Sequence, residues 1–118
     1  MSYRIKDILD AHKIPYEMEF RIDIPKSTHF RLYDFKFGNT ILELNGDYFH
    51  ANPQIYAQND VIRIRKVDYL AIDIWNGDKQ KKELAENNGY IVKYLWENDM
   101  KHMSDIDILQ WIVSNCCE

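Results

Sequence analysis

Three carboxylates and one imidazole crowd a stretch of chain otherwise suited to a sheet. Asp34, Glu43, Asp47 and His50 lie on or just beyond two apolar runs, Phe30, Leu32, Phe35 and Phe37, then Ile41, Leu42 and Leu44. Gly38-Asn39 separates the runs and is a β-hairpin signal. Glu43 interrupts the second run, where turn chemistry does not account for an acid. A carboxylate in such a place costs stability unless it is paired or bound to a cation. Asp34 and Glu43, together with Asp47, are therefore predicted to hold Mg²⁺ or Mn²⁺. Mg²⁺ suits one or two carboxylates completed by water and phosphate oxygens. His50, with an ordinary pKa near ~6.5, is the predicted proton-transfer group. Glu43 and Asn45, two apart, share one strand face. Gly46 is expected to let the chain turn sharply toward a ligand.

The elements that must position these groups read as a mixed α/β (α+β) domain. Ile5, Ile8 and Leu9 mark a first helix over residues 3–12, ended before Pro15. Tyr16, Met18, Phe20, Ile22 and Ile24 alternate with charged residues, which predicts a strand with one apolar and one charged face. The two runs around Gly38 follow as the second and third strands. Residues 61–66 show too brief an alternation to assign. Tyr69, Ile72, Trp75, Leu84 and Ala85 predict a helix from about Asp68 to Asn88, stopped by Gly89. Tyr90 to Trp96 reads as a strand buried on both faces. Ser104 is a predicted N-cap for a last helix that buries Ile108 and Ile112. The order is α-β-β-β-α-β-α, one domain over residues 1–118.

Composition narrows the classes. The 118 residues are 46% hydrophobic, enough for one sizeable core, with only three prolines and four glycines to make linkers. No membrane span or signal peptide is expected, so the reading is a soluble, cytoplasmic protein. The two cysteines, Cys116 and Cys117, are adjacent and predicted to be free. A net charge of −4 argues against a protein that coats nucleic acid. Nucleic-acid contact would fall instead to local cations, Arg63, Arg65 and Lys66 in one cluster and Lys79, Lys81 and Lys82 in another.

Taken in order, YDF at 33–35, ELNGDYFHANP at 43–53, Tyr56, AIDIWNGD at 71–78 with Lys81-Lys82, Gly89-Tyr90 and LWEND at 95–99 form a series. The series resembles the very short patch repair endonuclease fold. It is more closely similar to the phage homing-endonuclease relatives of that fold, the EDxHD group of the PD-(D/E)XK nuclease superfamily. The resemblance implies a restriction-endonuclease-like central sheet flanked by helices, and a Mg²⁺-dependent DNA endonuclease of homing, nicking or repair type. It implies that Asp34 is the central metal-binding aspartate and Glu43 the second acid. His50 would act on the attacking water or the leaving group, with Asp78 and Lys82 as a charged pair aimed at the site from one helix. An N-terminal acid completes the pattern, Glu17 or Glu19, with Glu19 preferred.

Asn45 stands where the superfamily has a lysine, a task left to Lys36, Lys82 or His50. Asn45 is grouped with Arg63, Arg65 and Lys66 as a DNA contact. The repair enzyme's zinc cysteines are absent, which favours the phage type. The implied partners are DNA, a divalent metal, and a second copy or a separate DNA-binding module. The alternative is a non-catalytic DNA-binding or assembly module that keeps the nuclease fold, supported by the missing lysine and the acidic charge.

Overall fold

Apolar periodicity builds a sheet with helices on both faces. In the computed structural model, which describes residues 1–117, the chain runs α1 (Ser2–Ala11), β1 (Glu17–Asp23), β2 (Phe30–Phe37), β3 (Thr40–Asn45), β4 (Val61–Ile64), β5 (Val67–Leu70), α2 (Ala71–Asn87), β6 (Ile91–Trp96), α3 (Glu97–Met100) and α4 (Asp105–Cys116). Four strands form a mixed sheet in the order β1-β2-β3-β6; β3 and β6 are parallel and the other pairs antiparallel. This is the α+β mixed sheet flanked by helices that the sequence predicts. Gly38 turns β2 into β3 with φ +56° at the first position of a two-residue loop, as a type II′ turn requires. Parallel β3 and β6 need a crossover, and α2 supplies its helix.

Each sheet face has its own core. Ile5, Ile8 and Leu9 of α1 and Ile108 and Ile112 of α4 pack on Phe35, Phe37, Leu42, Leu44 and Leu95. On the other face Leu84 and Ala85 of α2 cover Ile41, Val92, Tyr33 and Ile22. Arg4 ties α1 to the α3–α4 turn, donating to the Met100 and Met103 carbonyls at 3.2 and 2.8 Å. Ser104 caps α4 with a full capping box to Asp107, as its sequence position predicts. Strand alternation then dictates that Glu43 and Asn45, in phase with Ile41, face α2.

The first hairpin departs from simple alternation. Tyr16 and Met18 join the α1–α4 core, but Phe20 and Ile22 join the α2 core; on β2, Phe35 and Tyr33 divide the same way. In unbroken pleating, residues two apart share a face. The pairings Met18↔Phe35 and Phe20↔Tyr33 keep one register, and the step between them, Glu19 opposite Asp34, forms no ladder pair. One residue from each strand drops out, so both strands change face together. Glu19 adopts φ +51° to do so. The single apolar face predicted from Tyr16 to Ile24 is thus two half-faces meeting at Glu19.

Residues 61–66, too brief in alternation to assign, form with the four residues after them a second, two-stranded sheet. β4 and β5 pair antiparallel from Val61↔Leu70 to Ile64↔Val67, turning at Arg65-Lys66. The predicted helix therefore starts at Ala71 and not near Asp68. Tyr69, Ile72 and Trp75 have helical spacing, but Tyr69 lies in β5 opposite Ile62. Ile62, Ala51 and Ala71 form a small third core with Ile74 and Trp75 around it.

Candidate active site

Where the β1–β2 ladder breaks, Asp34 has no β1 partner and bonds to β3 instead. Asp34 Oδ2 accepts the Leu44 N–H at 2.8 Å, while the Asp34 N–H donates to Glu43 Oε1 at 2.9 Å. The two acids are thereby clasped side by side where the β2–β3 ladder ends. Glu43 is 5% exposed. Lys81 reaches down from α2 and donates to Glu43 Oε2 at 2.8 Å. Tyr33 shapes that reach, with its ring 4.7 Å from the Lys81 ammonium and its hydroxyl donating to the Lys81 carbonyl at 2.6 Å. Burial pushes the Glu43 pKa up; Lys81 opposes the rise and the neighbouring Asp34 charge adds to it. Burial also pushes the Tyr33 phenol up to about 12, so it stays a neutral donor.

A second charged pair stands beside the first. His50 Nδ1 lies 3.0 Å from Asp78 Oδ2, with both side chains about a third exposed. The hydrogen bond to Asp78 holds the His50 pKa above its ordinary 6.5, against the opposing effect of burial. A carboxylate on Nδ1 favours the Nδ1–H tautomer and leaves Nε2 as the acceptor. Asp78 and Lys81 are three apart on α2 and share its inner face, while Lys82, four from Asp78, lines the same wall. His50, Asp78, Lys82, Asn45, Tyr94 and Trp96 border one open cleft of about 240 Å³. Parallel pairing sets Tyr94 beside Glu43 and Trp96 beside Asn45. Burial, followed by the charges of Glu43 and Asp78, raises the Tyr94 phenol so that it too remains neutral.

The expected residues divide by position. Asp34, Glu43, His50, Asp78 and Lys82 gather at this end of the sheet, but Asp47 does not join the acid pair. Its Oδ1 accepts from Asn52 Nδ2 at 2.9 Å and from the Asn98 N–H at 3.2 Å, which clamps the loop after β3 onto α3. Among the described residues no three His, Cys, Asp or Glu side chains form a metal-binding group. The three-carboxylate set expected from Asp34, Glu43 and Asp47 is thus corrected to a pair. A pair still suits Mg²⁺, which leaves its other positions to water and phosphate oxygens.

Gly46 makes no sharp positive-φ turn, and a Cβ there would meet ordinary contacts; Ala51, with φ +47°, makes the bend. Glu19 sits opposite Asp34 but exposed, and Glu17 lies 3.9 Å from Lys36. Arg63, Arg65 and Lys66 lie on the β4–β5 ribbon, whereas Asn45 is buried at the end of β3.

The sequence points to Lys82 rather than Lys81 as the partner of Asp78, and does not single out Tyr33 or Tyr94 for the site. The one available signal for Lys81 was its three-residue spacing from Asp78, as permissible on a helix as four. The opposite face holds a larger groove of about 450 Å³ bordered by Phe37, Val113, Cys116 and Cys117. It offers no poised nucleophile, because burial pushes the Cys116 thiol up to about 12. Comparison with protein-family models, curated proteins and solved structures finds no match to this chain. Among the described residues no helix is long and apolar enough to cross a membrane.

Proposed function

We propose that this chain is a divalent-metal-dependent endonuclease that hydrolyses DNA phosphodiester bonds, of the PD-(D/E)XK type and nearest to the EDxHD group. The observation that supports the reading is the meeting, on one sheet face, of the clasped Asp34–Glu43 pair and the His50–Asp78 pair. Asp34 and Glu43 would hold Mg²⁺ or Mn²⁺. When bound, such an ion supplies positive charge to the reacting phosphate and acidifies a bound water.

The chain's own groups do the rest. Asp78 Oδ2 holds His50 Nδ1, which leaves Nε2 of this cleft-lining histidine as the general base. It takes the proton of the attacking water as the new P–O bond forms; the P–O bond to the leaving oxygen breaks, and that oxygen is reprotonated from solvent. Lys81, which rests on the Glu43 carboxylate from the helix, would supply the ammonium that Asn45 cannot once an ion takes its place on Glu43. Lys82 adds a second cation on the cleft wall.

A second reading, a non-catalytic DNA-binding or assembly module, is favoured by one contact: the Lys81 ammonium already rests on Glu43. Nicking of supercoiled plasmid separates the two. The nuclease reading expects Mg²⁺-dependent nicking by the wild type, abolished by Asp34→Ala and by His50→Ala. Concentrated wild type that leaves plasmid intact, or Asp34→Ala that nicks at the wild-type rate, contradicts it.

A further inference from the structure

The β4–β5 ribbon is unusually bare. Every residue of β5 is exposed, Val67 at 50% and Tyr69 at 42%, and only Ile62 of the eight strand residues is fully buried. A lone two-stranded hairpin is marginal in water. This one is anchored at its base by Ile62 and along its outer edge by Tyr48, whose hydroxyl accepts the Arg63 N–H at 2.9 Å and donates to the Arg63 carbonyl at 3.3 Å. Tyr48 thereby satisfies both backbone groups of Arg63 on the open edge of β4. It also joins the ribbon to the loop that carries His50 two residues later. At its other end β5 runs directly into α2, which carries Asp78 and Lys81.

The tip is the second anomaly. Arg65 and Lys66 take φ +51° and +67°, the backbone of a type I′ turn that Asn-Gly makes without strain. Two long cations hold strained positions at the most projecting point of the ribbon. With Arg63 they make three cations against the single carboxylate of Asp68, in a chain whose net charge is −4.

We infer that the β4–β5 ribbon enters the major groove of double-stranded DNA, with Arg65 and Lys66 at its tip, and holds the duplex against the His50 cleft. The inference rests on the nuclease reading for its partner and adds the form that partner takes. A two-stranded ribbon fits the roughly 12 Å major groove of B-DNA. The charge at the tip complements the phosphate walls, and the short tether through Tyr48 keeps the groove in register with the reacting groups.

The test uses the full chain in EDTA, with fluorescence anisotropy on a duplex and on its single strand, while nicking is scored separately. The double variant Arg65→Asn with Lys66→Gly matches the turn, so it is expected to melt at a higher temperature than wild type. It should nonetheless bind duplex at least about 10-fold more weakly, with a salt slope lower by about 2. Wild type should prefer duplex to single strand, and methyl green, which fills the major groove, should displace it where a minor-groove ligand does not.

Equal affinity for single strand, or unchanged duplex affinity in the more stable variant, overturns the inference. Groove-dependent duplex binding by a protein that never nicks supports the ribbon's role and overturns the nuclease reading alone.

Discussion

His50 and Asp78 carry the most specific prediction at the scale of single residues. Asp78 holds the His50 pKa above 6.5, so the neutral, base-competent imidazole predominates only above that raised value. The nicking rate should therefore rise with pH through a midpoint above 6.5. Asp78→Asn removes the charge that favours the imidazolium, and the acidic limb should move to lower pH. The plateau rate should fall by at least about 10-fold, within the roughly 10²–10⁴ that a positioned acid–base group contributes. A pH–rate profile measures both, and a limb unmoved by Asp78→Asn contradicts the assigned role.

Much of the residue scale was legible from type and place. Glu43 betrayed itself by interrupting an apolar run, and its partner Asp34 by lying across a hairpin from it. The choice of Lys82 over Lys81 shows where such reading stops. Spacing puts both within reach of Asp78's face, and only the rotation of α2 against the sheet decides which ammonium meets Glu43.

At the scale of elements, the β1–β2 ladder break is the feature from which the site follows. Without the shared face change at Glu19 and Asp34, Asp34 would stay in the ladder and its carboxylate would not reach Leu44. Glu19 bears the strain, at φ +51°. Left-handed backbone costs a side-chain-bearing residue about 1–2 kcal/mol, and glycine's extra chain entropy costs about 0.5–1 kcal/mol. Glu19→Gly should therefore stabilise the protein by about 0.5 kcal/mol, although glycine ordinarily weakens a strand. Urea unfolding would register this as a higher midpoint; a midpoint well below wild type would mean that the face change does not depend on that backbone.

The period-2 pattern from Tyr16 to Ile24 runs unbroken through Glu19 in the sequence, so alternation alone could not reveal that two cores share it. The ribbon was hidden for a related reason. Its strands have four residues each, and Tyr69, Ile72 and Trp75 happen to continue a helical spacing across the β5–α2 junction.

At the scale of the whole molecule, the sheet separates tasks between its faces. One face is a plain apolar core under α1 and α4, with Arg4 fastening the two ends. The other carries a smaller core under α2, and beyond it, at the ends of the parallel β3 and β6, the acids, the histidine and the lysines. The mixed sheet and its flanking helices were readable from the order of apolar runs, because each run is long enough to declare its period. In the proposed function the acid pair on the α2 face holds a divalent ion where the Lys81 ammonium now rests on Glu43. Crystals soaked in Mn²⁺ and measured for anomalous scattering test it directly. The expected result is a peak at the Asp34 and Glu43 carboxylates, with the Lys81 ammonium withdrawn from Glu43 Oε2. No peak at saturating Mn²⁺, with Lys81 still in contact with Glu43, would contradict it.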